Sequence, residues 1–161
     1  MTGSCVFPSP VGDLILTASE TALTGVFFPT SRHTREGGAD GPDNAVLAST
    51  RHQLSEYFAG TRTTFDLPLD PRGTPFELRV WEELRAIPYG ATRSYSDIAR
   101  RLGDPRSTRA VGAANGKNPI PIIVPCHRVI GAHGELTGFG GGIDRKRWLL
   151  EHEGALLPLR S

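Results

Sequence analysis

The run Asn118-Pro119-Ile120-Pro121-Ile122-Ile123-Val124-Pro125-Cys126-His127-Arg128 sets a single thiol beside an imidazole and a guanidinium. Its prolines exclude a regular helix or a central strand, so the segment reads as a device for aiming one side chain. A thiol attacks as thiolate, and His127 and Arg128 are residue types that could lower the pKa of Cys126 or take its proton. A buried structural cysteine is the competing reading, but two polar side chains directly after Cys126 are out of place in a plain core. His127 is the candidate base. Neighbouring side chains on an extended chain point to opposite sides, so direct contact would need a bend, and a relay through water is expected. Such a base needs an orienting carboxylate, and Glu153, Glu135 and Glu151 are all candidates.

The glycine-rich stretch at residues 131–142 lacks the Lys-Ser/Thr of a phosphate loop, which argues against a nucleotide cradle. It fits a wall of exposed backbone N–H groups around a flat ligand, with Phe139 against the ligand's face. Cys5 and Cys126 form no Cys-x-x-Cys pair, and His33, His52, His133 and His152 show no ligand spacing. No metal and no cofactor is therefore expected.

The elements that must hold these residues read as an α/β (α+β) chain in two parts, residues 1–72 and 73–161. The first opens as a three-strand meander near residues 4–7, 13–18 and 23–28. A loop follows at residues 29–42, then a helix capped by Asp43 or Asn44 with Leu47, Leu54 and Phe58 on one face. Residues 63–67 look extended again, and residues 68–73 look like a linker. In the second part Thr74-Pro75-Phe76-Glu77 combines an N-cap, proline at the first helical position and a capping-box glutamate. Phe76, Val80, Leu84 and Ile87 form the inner stripe of that helix. A short helix capped by Ser94 and closed by Gly103 and another over about residues 107–115 are shaped as a helix-turn-helix. A hairpin of that shape often does no more than pack. Here, however, the second helix would expose small residues punctuated by Arg106, Arg109 and Lys117, which lets its backbone approach a phosphate chain. The last helix, residues 144–151, would pack on Trp148 and Leu149 and leave Arg145, Lys146 and Arg147 in solvent or near phosphate.

Residues 1–72 carry 5 basic and 8 acidic side chains, residues 73–161 carry 13 and 9, so the basic excess sits with the thiol. That asymmetry suits a polyanionic partner, although an ordinary solvated surface would show as much. No apolar run of membrane-spanning length and no signal-peptide pattern is present, and the two cysteines are far apart. These features point to a cytoplasmic protein with no membrane partner.

Pro125-Cys126-His127-Arg128-Val129, with Asn118-Pro119 before it and the glycine-rich loop and His152-Glu153-Gly154 after it, closely resembles the O6-alkylguanine-DNA alkyltransferases. Ile87-Pro88-Tyr89-Gly90, Ser94-Tyr95 and Arg109-Ala110-Val111-Gly112 extend the resemblance over residues 73–154, whereas residues 1–72 match loosely. The resemblance implies a small RNase H-like N-terminal domain, largely structural, and a mostly helical C-terminal domain with the helix-turn-helix. It implies a monomer, with cooperative binding along DNA left open, on double-stranded DNA. The recognition helix would enter the minor groove and an O6-alkylguanine would rotate out of the stack. Arg109 would fill the vacated space, and Tyr95 would crowd the flipped nucleotide and donate to guanine N3. Cys126 would take the alkyl group irreversibly, with His127, oriented by Glu153, accepting its proton. Asn118 would brace the turn, and the carbonyls of Cys126 and Val129 would read the guanine amino group. Ser94, Ala110 and Gly112 would lie on the DNA face, and Val129, Phe139, Gly140, Arg128 and Pro121 around the pocket.

Two departures stand out. Phe139 lies where many relatives have tyrosine, which removes a hydroxyl and keeps the aromatic wall, and Cys5 alone cannot supply the zinc site of some vertebrate relatives. A cysteine hydrolase and a lesion-binding protein without transfer activity are the competing readings; the second lacks the reactive cysteine. Which alkyl groups fit and whether O4-alkylthymine is accepted stay open.

Overall fold

The computed structural model describes residues 2–29 and 41–156. The chain divides into two compact units, Met1–Arg72 and Gly73–Ser161. The loop expected at residues 29–42, and His33 with it, falls largely outside the described residues.

In the first unit β1 (Gly3–Phe7), β2 (Leu14–Ala18) and β3 (Leu23–Phe27) form an antiparallel sheet in that order. Leu14, Leu16 and Ala18 of the central strand are wholly buried, and helix α1 (Ala45–Phe58) supplies Val46, Leu47, Leu54 and Tyr57 to the same core. Asn44, not Asp43, is the cap: its side chain accepts from Leu47 N at 2.9 Å, while Asp43 pairs with Arg51.

The extended segment expected at residues 63–67 joins no sheet. Gln53 holds both backbone groups of Asp66, accepting from its N at 2.8 Å and donating to its O at 2.9 Å. The ladder groups a strand would use are thereby satisfied by a side chain. The linker expected at residues 68–73 is partly fastened down as well. Leu69 forms a parallel bridge with Leu23, whose N donates to Pro68 O at 2.8 Å and whose O accepts from Asp70 N at 2.9 Å.

The second unit opens with α2 (Pro75–Arg85), where both halves of the Thr74–Glu77 capping box are made. Its buried stripe is Val80, Trp81 and Leu84, and Phe76 is only half-buried. Trp81 donates its indole N–H to Ala114 O at 2.8 Å, so the helix is tied to α4 (Thr108–Gly116) by a polar bond inside an apolar contact. Strand β4 (Arg93–Ser94) runs into α3 (Tyr95–Arg101), which starts on a Ser94–Asp97 capping box. Gly103, at φ 85, turns the chain through a single 3-10 turn, Pro105–Ser107, into α4. This is the helix-turn-helix. After α4 a second 3-10 turn, Cys126–Arg128, leads into β5 (Val129–Ile130), and α5 (Ile143–His152) closes the unit. β5 pairs in parallel with β4, Arg93 opposite Val129 and Ser94 opposite Ile130. That short pair locks the cysteine turn to the start of α3. No helix among the described residues is long and apolar enough to cross a membrane.

Candidate active site

The aiming of Cys126 begins with Asn118. Its side-chain O accepts from Ile120 N at 3.0 Å and its Nδ2 donates to Val124 O at 2.8 Å, which clamps both ends of a tight loop. At the loop's apex Ile122 has φ 73 and is wholly buried. A β-branched residue in left-handed backbone costs on the order of 1–3 kcal/mol and persists only where its surroundings dictate it. Pro125 then starts the 3-10 turn, so Cys126 and His127 sit on a bend and not on an extended strand.

Cys126 is 4% exposed, His127 0% and Arg128 6%, so these three residues lie in the core of the unit. Glu153, the C-cap of α5, is the carboxylate that meets the imidazole: His127 Nε2 lies 2.8 Å from its Oε2. Of the other two candidates, Glu151 is half-buried and Glu135 is exposed and accepts from His133 N. Arg128 grips the same carboxylate, Nε to Oε1 at 2.8 Å and Nη2 to Oε2 at 3.1 Å, and donates through Nη1 to Ile87 O at 2.7 Å. The guanidinium that the resemblance sets around the pocket is engaged by Glu153 and Ile87 O, where a buried charge must be matched.

Burial alone would raise the Glu153 carboxyl, but the hydrogen bonds and charges of His127 and Arg128 outweigh it and hold the carboxyl at about 2. An ionised Glu153 only accepts, so His127 Nε2 carries its proton and donates, which leaves Nδ1 as a lone pair. Nδ1 is buried without a hydrogen-bond partner. The imidazole is held below its ordinary pKa by burial first, against the pull of Glu153 and with the push of Arg128 and Lys146. For Cys126 the expectation of a lowered pKa is reversed. Burial pushes the thiol up to about 11, although Asn118 and the charge of Lys146 oppose it. At neutral pH about one molecule in ten thousand would hold a thiolate, so any use of the thiol as a nucleophile needs an explicit proton acceptor beside it.

Lys146 was expected in solvent or near phosphate and is instead wholly buried. Its Nζ donates to Val129 O at 2.6 Å and to Thr137 O at 2.7 Å and lies 5.9 Å from the centre of the Tyr95 ring. Desolvation lowers it to about 8. The signal was available: Lys146 stands three and four residues before the buried Leu149 and Leu150, on the inner face of α5. Trp148 is half-buried and stacks on His152. Asn115 was also missed, a wholly interior residue whose Nδ2 lies 3.4 Å from Cys126 O. Nothing in its Ala-Asn-Gly surroundings marks it.

Tyr95 is half-buried and donates its hydroxyl to Thr137 O at 2.9 Å. Gly138 passes over it at φ 67, where an added Cβ would lie 2.9 Å from the tyrosine oxygen, and Gly112 backs the ring from α4. Ser94 is occupied as the α3 cap. Val129 and Pro121 are buried, Phe139 is half-buried and Gly140 exposed. Gly112, Ala113, Gly116, Lys117, Phe139 and Gly140 line a groove between α4 and the glycine-rich loop. On α4, Arg109 and Ala110 are exposed. Among the described residues no group of three His, Cys, Asp or Glu side chains converges as a metal site would require.

The depressed Glu153 pKa gives a pH prediction. Because the folded value lies below the unfolded one of 4.5, its stabilisation is present above pH 4.5 and is lost as pH falls toward 2. The whole is worth about 3 kcal/mol and about 2 kcal/mol is gone by pH 3. Urea unfolding of wild type and Glu153→Gln should show their difference shrinking by that amount between pH 7 and pH 3. An unchanged difference contradicts the assignment.

The family model for the 6-O-methylguanine DNA methyltransferase ribonuclease-like domain matches residues 5–71, and that for the DNA binding domain of the same proteins matches residues 75–155. The methylated-DNA--protein-cysteine methyltransferase of Mycobacterium tuberculosis is 51% identical over 150 residues, covering 93% of this chain and 91% of the relative. The crystal structure of the M. tuberculosis O6-methylguanine methyltransferase superposes with a TM-score of 0.87 at 49% identity, covering 99% of this chain and 97% of that one. The structure of the M. tuberculosis OGT in complex with DNA does so with a TM-score of 0.84 at 52% identity over 93% and 91% of the two chains. The buried Cys-His-Glu cluster below a helix-turn-helix thus lies in a sequence matched by both domain models almost throughout, and the chain belongs to the 6-O-methylguanine DNA methyltransferase family.

Proposed function

We propose that this protein repairs duplex DNA by moving the alkyl group of an O6-alkylguanine irreversibly onto Cys126. The observation that carries this reading is the buried His127–Glu153 pair directly after Cys126, in the same unit as the helix-turn-helix. A thiol 4% exposed cannot meet a base inside the duplex stack, so the damaged nucleotide has to leave it. The small residues of α4 would allow a close approach to the minor groove, and Arg109, exposed at its start, would fill the gap.

In the step itself the Cys126 proton passes through a water to His127 Nδ1, and the imidazolium that forms is stabilised by Glu153. The thiolate forms a C–S bond to the alkyl carbon as the C–O6 bond breaks. The electron pair goes to the guanine, which regains a proton with help from the Tyr95 hydroxyl. The products are unmodified guanine and an S-alkylcysteine. A thioether is a poor leaving group and no second nucleophile lies in the motif, so each molecule acts once. The thiol must stay reduced until used, which suits a cytoplasmic protein.

Mass spectrometry of the intact protein after incubation with duplex O6-methylguanine DNA tests the reading. One added methyl, saturating at one equivalent, is expected, and repeated turnover or an unchanged mass excludes it. Arg109→Ala should slow repair of duplex at least tenfold and leave transfer from free O6-benzylguanine within about twofold, because only the duplex requires flipping and its unstacking costs a few kcal/mol. Equal losses on both substrates would remove the flipping role.

A further inference from the structure

We propose that Arg128 is a positioning residue: by occupying Glu153 it keeps His127 as the neutral base and so sets the lower pH limit of alkyl transfer. The inference rests on Cys126 as the acceptor.

A buried imidazole beside a lone carboxylate tends to take a proton and form an ion pair, and an imidazolium has no lone pair with which to receive the thiol proton. Here the carboxylate is not alone. Arg128 makes two hydrogen bonds to Glu153, one to each oxygen, and its third, to Ile87 O, holds the guanidinium in place. The negative charge of Glu153 is balanced before His127 ionises. A proton on His127 would leave an excess positive charge in a site where both His127 and Glu153 side chains are 0% exposed.

The other groups facing the imidazole act in the same sense. From α5, Lys146 adds a second cation. From the same 3-10 turn come Arg128 and the protonated Cys126 thiol. α2, which also packs on this turn, buries Val80, Trp81 and Leu84, none of them ionisable. Tyr89, from the segment after α2, faces Arg128 with its ring centre 5.8 Å from the guanidinium carbon. Glu153 is thus the sole anion that these elements turn toward the imidazole. The unpartnered Nδ1 is what a neutral, acceptor-ready ring presents.

The test is the pH profile of transfer from free O6-benzylguanine, which omits DNA binding and flipping. In Arg128→Met the acid limb should move up by about one pH unit or more, and Arg128→Lys, which restores a cation, should return it toward wild type. Slower transfer with an unmoved acid limb in Arg128→Met means that the arginine is only structural and overturns the inference. If Arg128→Met does not fold, NMR titration of the His127 ring in the milder Arg128→Gln variant beside wild type decides. A His127 pKa that rises in the variant supports the inference, and one that stays put, or a wild-type ring that titrates at or above the ordinary histidine value, overturns it. Uptake of one alkyl equivalent by wild type tests the parent reading separately, whatever the limb does.

Discussion

Cys126→Ser binds duplex DNA carrying O6-methylguanine about as tightly as wild type and takes up no methyl group. The expectation follows from how little assistance the site gives the resting thiol. Burial already holds Cys126 at about 11, and a hydroxyl in the same place is far less acidic and less nucleophilic. His127 would take the proton from a thiol against the difference between a lowered imidazole and a raised thiol, and a hydroxyl would widen that difference beyond use. Binding should survive, because the exposed face of α4 and the Arg109 side chain are untouched by a change of one buried atom. Gel-shift titration and intact mass on the same preparation read the two properties separately. Cys5 is the internal control. It is half-buried, and its sulfur accepts from Arg51 Nη1 at 3.3 Å. Methyl mapped to Cys5 in the variant would show that the acceptor assignment is wrong, and loss of DNA binding would show that the substitution disturbs more than chemistry.

The two capping boxes were legible because each is a local code: Thr74 and Glu77, and Ser94 and Asp97, lie within one turn and need nothing from the rest of the chain. The helix-turn-helix and the glycine turn at residue 103 follow from the same kind of signal. What residues 63–67 pair with was not legible, because their extended pattern is local while the groups that satisfy Asp66 come from Gln53, thirteen positions away. The 3-10 turn at Cys126 and its pairing through β5 to β4 are non-local too.

The site divides in the same way. Cys126, His127 and Arg128 are conspicuous as residue types, and Glu153 was among three carboxylates that spacing could not separate. What spacing also could not show was the direction in which Arg128 points, since that depends on Ile87 O and Glu153 arriving from two other segments. The thiol pKa was misjudged for the same reason. A neighbour in sequence lowers a pKa only if it is a neighbour in space, and the enclosure that dominates Cys126 is assembled from the whole unit. Lys146 shows the reverse error, in which a run of three basic residues suggested a surface although helical register put the middle one inside.

Lys146→Met slows alkyl transfer from duplex DNA and from free O6-benzylguanine by the same factor, roughly ten- to a thousandfold. Its ammonium is the buried cation that favours the Cys126 thiolate, and a nearby opposite charge shifts a pKa by about one to three units. With the thiol pKa well above neutral, each unit lost costs tenfold in thiolate and so in rate. The ammonium also anchors Val129 O and Thr137 O, the second of which accepts from the Tyr95 hydroxyl. Methionine takes a donor from the buried Val129 O, at about 1–3 kcal/mol, whereas Thr137 O keeps the Tyr95 hydroxyl. A fall in melting temperature of several degrees should therefore accompany the loss of rate. Because Lys146 acts at the reacting atoms and Arg109 before them, the two variants separate the steps: Arg109→Ala is selective for duplex, and Lys146→Met is not. Transfer from the free base at the wild-type rate in a folded Lys146→Met protein would show that the buried ammonium serves the fold and not the thiolate.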